Sequence, residues 1–224
     1  MPRLVVGLGN PGREYGGTRH NVGFEVLDRL AGAAGLSFQR EKKWQAEVCR
    51  TAGGLFLLKP QTYMNLSGRA VAAAARFYKI AAEEVLVVCD EVSLPLGQLR
   101  FRMSGGPGGH NGLRSLIADL GSRDFPRLKI GIGGVPGAKL TSHVLGRFRE
   151  EEQEAAQKAL ATALDAVQVA LSDGVGRAAN RFNVRPKAAK RDSRTEPETD
   201  PESQPKSTED EQEIRRPDCS EHDG

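Results

Sequence analysis

The chain has 224 residues with 32 Lys and Arg against 29 Asp and Glu, which is enough for one sizeable domain or two small ones. The balance hides an asymmetry: residues 1–186 carry 25 basic and 17 acidic side chains, net +8, whereas residues 187–224 carry 7 and 12, net −5, so the body favours an anionic partner such as nucleic acid. Three dispersed cysteines, Cys49, Cys89 and Cys219, without C-x-x-C spacing, argue against a disulfide framework or structural zinc site and for a reducing, cytoplasmic home; no apolar run nears the ~20 residues that span a bilayer, and no signal core follows a basic start.

In chain order, Leu4–Leu8 reads as a buried strand. A helix begins only after His20, with Asn21 as its N-cap and Val22, Phe24, Val26, Leu27 and Leu30 on the apolar side. Ala46–Thr51 and Leu55–Lys59 read as strands joined at Gly53-Gly54 in a hairpin. Ser67 is placed to cap the alanine-rich helix "GRAVAAAARFYK". Val85–Val88 is a second buried strand, ending in Cys89-Asp90-Glu91, and "QLRFRM" alternates as a strand with one polar face. Asn111 or Gly112 opens a helix to Leu120. "LKIGIGG" is another strand, Glu150–Ser172 carries a long helical pattern, and a short helix near Gly176–Phe182 closes the fold. Alternating strands and helices predict one α/β domain over residues 1–186, a mixed, mostly parallel twisted sheet flanked by helices. Residues 187–224, acidic and poor in apolar side chains, cannot offset their ordering entropy and are predicted to be a disordered tail.

Gly7-Leu8-Gly9-Asn10-Pro11-Gly12 has the G-x-G-x-x-G spacing of a dinucleotide-binding turn. That turn needs a helix to open inside it, where N–H groups meet the pyrophosphate. Here "REYGGTRH" intervenes, and the acids Glu25 and Asp28 fall within a helix rather than at the end of a second strand. "VLVVCDE" resembles a magnesium-holding strand end, but no G-x-x-x-x-G-K-[ST] accompanies it.

The remaining chemistry lies at strand ends and on glycine-rich loops: Asn10, His20, Asn65, Asp90, and His110-Asn111 after four glycines. In α/β sheets, sites form beyond the carboxyl ends of strands. His20 and Asp90 can form a base and its orienting carboxylate, because an aspartate bonded to one imidazole nitrogen fixes the tautomer and favours the imidazolium. No G-x-S-x-G nucleophile elbow is present and the histidines lack metal spacing, so the pair is expected to activate water directly. Asparagine amides can bond a carbonyl or a water without titrating. Taken singly, each residue also has a bland reading: a turn at Asn10-Pro11-Gly12, a satisfied histidine at His20, packing at Met64, Tyr15 and Tyr63.

At these residues the sequence resembles the bacterial-type peptidyl-tRNA hydrolase family. The similar segments are "VGLGNPGREYGGTRHNVGF", "KPQTYMNLSG", "DEVSLPLGQLRFR", "GGPGGHNGLRSL" and "RLKIGIGG", over roughly residues 3–185. The resemblance implies a monomer that uses no metal or organic cofactor. It implies hydrolysis of the ester between a peptide and the terminal ribose of tRNA, with peptidyl-tRNA as partner, including that on stalled large ribosomal subunits, and no membrane. By the same resemblance His20 is the proton acceptor, Asp90 supports it, and Asn10 distinguishes blocked from unblocked substrate. Tyr15, Tyr63, Asn65 and Asn111 contact the tRNA end or peptide, and Met64 and His110 line the cleft. Arg102 and Lys129 match positions that engage the tRNA 5′ phosphate region; the family pattern there is lysine and arginine, so the types are exchanged, which keeps charge but alters geometry. The acidic tail departs from short family members and is expected to screen the basic body weakly. An RNA-binding adaptor on the same scaffold is the competing expectation, disfavoured by the presence of every catalytic candidate.

Overall fold

The computed structural model describes residues 1–134 and 139–183; the tail expected over residues 187–224 lies outside them. The elements are β1 (Leu4–Gly7), α1 (Val22–Ala33), β2 (Gln39–Glu41), β3 (Ala46–Arg50), β4 (Phe56–Pro60), α2 (Ser67–Tyr78), β5 (Val85–Glu91), β6 (Leu99–Arg102), α3 (Asn111–Leu120), β7 (Arg127–Gly131), α4 (Leu140–Leu145), α5 (Glu150–Ser172) and α6 (Val175–Phe182). The α/β class with a mixed sheet is as expected. Seven strands run in the order β2-β3-β4-β1-β5-β7-β6. The central four, β4, β1, β5 and β7, are mutually parallel, while β3 and β6 are antiparallel to their inner neighbours.

Successive side chains of the central strands enter different cores. Val5, Leu57, Leu86, Val88, Leu128 and Ile130 pack with residues of α1, α5 and α6. Leu4, Val6, Phe56, Leu58, Val85 and Val87 pack with residues of α2 and α3. Burial on both faces explains why these strands read as unbroken apolar runs.

The chain leaves β1 through α1 toward β4, and leaves β5 toward β7 through α3 on the opposite face. The connections diverge between β1 and β5, which opens a crevice at their carboxyl ends. Asn10 and Asp90 lie there.

The glycines at the start of the chain allow α1 to press on the sheet. A Cβ at Gly7 would stand 2.3 Å from Gly23 O, and one at Gly23 would stand 2.5 Å from Leu8 N, Leu8 O and Val88 O. Gly23→Ala should therefore cost about 2–3 kcal/mol of overpacking, a fall in Tm of roughly 5–10 °C by thermal melt. An unchanged Tm would show that helix and sheet part freely.

Two expected caps are used otherwise. Asn21 stands at the N-cap of α1 but its side chain makes no cap bond; it bonds Asn10 instead. Ser67 is the first residue of α2, not its cap, and the Gly68 N–H donates to Ser115 Oγ on α3 at 2.9 Å.

Candidate active site

Loops from both faces of the sheet meet at the crevice, around a cavity of about 640 Å³. A 3₁₀ turn, Arg19–Asn21, brings His20 in from the α1 side. The Gly105–Gly109 loop brings His110 from the α3 side. Asp90, 3 % exposed near the end of β5, lies between them. Its Oδ1 is 2.7 Å from His20 Nδ1 and 3.1 Å from His110 Nε2.

Burial alone raises the Asp90 carboxyl, but the charge and hydrogen bonds of the two imidazoles outweigh it and hold the group well below the usual carboxylate range. With its folded value depressed, the stability Asp90 contributes is present above the unfolded value, about 3.9, and is lost only as pH falls toward the lower folded value. Asp90 is thus an anion throughout the neutral range. A carboxylate only accepts, so both facing ring nitrogens carry protons.

The second nitrogens settle the histidines' different tasks. His110 Nδ1 accepts from the N–H groups of Gly112 and Leu113, at 3.1 and 3.3 Å, and so caps α3. It has no lone pair to spare. His20 Nε2 has no protein partner among the described residues, and His20 lines the cavity. Of the two histidines, His20 is the one that presents a base to a bound molecule.

Asn10 Oδ1 accepts from Met64 N–H at 2.7 Å, which leaves its Nδ2 as the donor for a ligand. Tyr63, Met64, Asn65 and Asn111 also line the cavity. Tyr63 is exposed and Met64 buried, while Asn111 Oδ1 accepts from Arg114. A mostly apolar wall is made by Val92 with Leu140, Thr141, Val144 and Leu145 of α4. That wall was not foreseen, because six residues are too few to show a helical period.

Tyr15 does not line the cavity; it ends a 3₁₀ turn at Arg13–Tyr15, and its carbonyl accepts from Thr18 Oγ1 at 2.8 Å. Arg102 and Lys129 also lie outside the lining, on β6 and β7, where the register pairs Arg100 with Lys129 and Arg102 with Arg127. Directly opposed residues share a sheet face, so all four basic residues project from one side. Arg127 is fully buried and holds the carbonyls of Gly106 and Arg123, at 2.9 and 3.1 Å, at the base of the glycine loop. Lys129 pairs with Glu91. Burial raises Glu91, yet hydrogen bonds from Lys129 and Ser93 bring it below its ordinary value. Arg102 is exposed. Arg100 was not singled out, although the alternation of "LRFR" aligns it with Arg102.

The ligand-capable atoms of His20, Asp90 and His110 all lie within 4.8 Å of one another. Two ligands of one tetrahedral zinc stand about 3.3 Å apart. The 2.7 Å His20–Asp90 contact is a charge-assisted hydrogen bond, too short for two atoms sharing a metal. The donor set fits proton transfer better than metal binding.

A family model described as peptidyl-tRNA hydrolase matches residues 4–191. The chain is 49 % identical over 183 residues to the peptidyl-tRNA hydrolase of Desulforudis audaxviator, covering 81 % of this chain and 93 % of that one. It is 45 % identical over 195 residues to that of Synechococcus elongatus, covering 82 % and 93 %. The crystal structure of peptidyl-tRNA hydrolase from Acinetobacter baumannii matches with a TM-score of 0.77 at 39 % identity, over 81 % of this chain and 94 % of that one. Family model, sequence identity and fold agree: the chain belongs to the peptidyl-tRNA hydrolase family.

Proposed function

We propose that the chain hydrolyses the ester joining a peptide to the terminal ribose of tRNA, with His20 as the proton acceptor. The observation that carries this is the His20–Asp90 pair, bonded at 2.7 Å through Nδ1, with Nε2 free on a cavity wall. A water at Nε2 gives up its proton as its oxygen bonds the ester carbonyl carbon. The Asp90 anion offsets the imidazolium that forms. Negative charge then grows on the carbonyl oxygen, where the free Asn10 amide N–H and the positive N-terminus of α3 favour it. When the carbon–oxygen bond to ribose breaks, the imidazolium proton passes to the departing ribose oxygen. The products are a carboxylate-terminated peptide and intact tRNA. No side chain is acylated.

Tyr63, Asn65, Asn111, Met64 and His110 shape the space around the ester, and Tyr15 flanks the loop that carries His20. Arg102 and Lys129, with Arg100, form a basic strip for RNA phosphates. Arg102→Ala should raise KM several-fold, leave kcat unchanged and reduce the slope of log KM against log salt by about 1. An unchanged salt slope would remove Arg102 from the RNA surface. The enzyme works as a cytoplasmic monomer on free peptidyl-tRNA and on that of stalled large ribosomal subunits. Among the described residues no helix is long and apolar enough to cross a membrane.

The test is release of N-acetyl-aminoacyl groups from tRNA in the presence of EDTA, with unblocked aminoacyl-tRNA as control. Release of the blocked substrate alone is the expected result. Tight tRNA binding without release would replace the esterase by an RNA-binding adaptor.

A further inference from the structure

We propose that Asn21 is a positioning residue of this site: its side-chain amide clamps the main chain of Asn10 and so aims the Asn10 amide at the substrate. The proposal rests on the reading above that Asn10 faces the ester.

Asn10 needs such a device. It lies three residues beyond the end of β1, past the last sheet bond, Leu8 N–H to Val88 O at 2.9 Å. Pro11 follows, and Gly12 adopts a φ of 112°. The Asn10 main chain is nevertheless buried, and buried peptide groups require partners. Asn21 supplies both of them. Its Oδ1 accepts from Asn10 N–H at 2.9 Å, and its Nδ2 donates to Asn10 O at 3.0 Å. One planar amide thus does for Asn10 what a neighbouring strand does for a ladder residue.

Asn21 gives up something to do so. It occupies the N-cap of α1, where its side chain would ordinarily bond the first helical N–H groups, and it makes no such bond. Nor does it line the cavity. Its effect passes through Asn10, whose Oδ1 is held by Met64 N–H at 2.7 Å. With main chain and Oδ1 both fixed, the direction of Nδ2 is set.

The neighbouring residue makes the placement consequential. His20 and Asn21 belong to one 3₁₀ turn. That turn sends His20 to Asp90 and Asn21 to Asn10, so one rigid element fixes the spacing between the base and the amide. Changing the clamp shifts the amide relative to the base without touching the His20–Asp90 bond.

The test uses the full chain with Asn21→Asp, Asn10→Ala and the double variant. Asn21→Asp is nearly isosteric but sets an acceptor oxygen against Asn10 O. On N-acetyl-aminoacyl-tRNA it should lower kcat/KM by roughly 10- to 100-fold, the cost of a reacting group misplaced by about an ångström. It should narrow the preference over unblocked aminoacyl-tRNA and leave the acid limb of the pH–rate profile where it was. In the Asn10→Ala background the same change should add no further loss, as expected of residues that act as a unit. Equal losses in both backgrounds, or activity that follows Tm alone, would overturn the proposal. Hydrogen exchange at the Asn10 amide gives a reading independent of turnover: protected in the wild type and fast in Asn21→Ser, which folds with a smaller side chain, if the clamp exists. An unprotected Asn10 amide in the wild type overturns the clamp itself. A protected amide in a wild-type chain without esterase activity would instead sink the functional reading, and with it the positioning role.

Discussion

Replacing His20 by alanine should lower kcat on N-blocked aminoacyl-tRNA by roughly 10²–10⁴-fold, the range for loss of a general base, with KM within a few-fold of wild type. The ring contributes little binding surface, and Tyr63, Asn65 and Asn111, which line the same cavity, stay in place. The fold should survive, because Asp90 keeps its bond from His110. Losing one of two donors to a buried carboxylate should cost about 1–3 kcal/mol, visible in a chemical melt. The pH profile gives the sharper readout. Imidazoles take up protons between pH 5 and 8, and a protonated imidazole accepts nothing, so the wild-type rate should fall on the acid side. Asp90 does not contribute to that limb, since its two imidazole partners keep it ionised far below it. His20→Ala should abolish the limb along with most of the rate. A wild-type profile flat from pH 5 to 8 would remove His20 from the role of base.

The sequence displayed those parts of the fold whose physics is local or repeats along the chain. Leu4–Gly7 and Val85–Cys89 are buried on both faces, so they stand out as apolar runs. The long helix α5 starts and stops where its pattern does, at Glu150 and Ser172. Elements held by tertiary contacts alone were not visible. β2 is three residues long with Gln39 and Arg40 exposed, and exists because β3 offers it an edge. Caps divided along the same line. Asn21 and Ser67 have the right chemistry for capping, yet partners distant in sequence claimed Asn21 and relieved Ser67. His110 does cap α3, which no propensity scale anticipates. In the site, the residue types and the pairing of His20 with Asp90 were legible, and the part played by His110 was not. Nothing local in "GGHNG" says that His110 spends its Nδ1 on two backbone N–H groups while its neighbour across Asp90 keeps a free nitrogen. That division of labour comes from the divergence of connections between β1 and β5, which brings two histidines 90 residues apart to ring centroids 5.1 Å from each other.

Asp90→Asn should slow the reaction by roughly 10²–10³-fold, the scale for removing one electrostatic partner of the transition state. Where a carboxylate orients a histidine, replacement by an amide is costly when the amide N–H faces the ring and forces the wrong tautomer. Here both imidazoles donate to a single oxygen, Asp90 Oδ1. An asparagine with its Oδ1 in that place keeps both hydrogen bonds, and with them the orientation of His20 and the tautomer that leaves Nε2 free. The His110 bond favours that orientation, since His110 Nδ1 is committed to the α3 N–H groups and its Nε2 can only donate. What the substitution removes is the negative charge. The imidazolium formed as water is deprotonated loses its counter-ion in a buried setting, so the proton is held less firmly and the base is weaker. A loss near 10⁴-fold would mean that the amide has turned its N–H toward His20, and that Asp90 matters chiefly for choosing the tautomer. A rate close to wild type would mean that the charge is not needed, and that water is activated from elsewhere in the cavity.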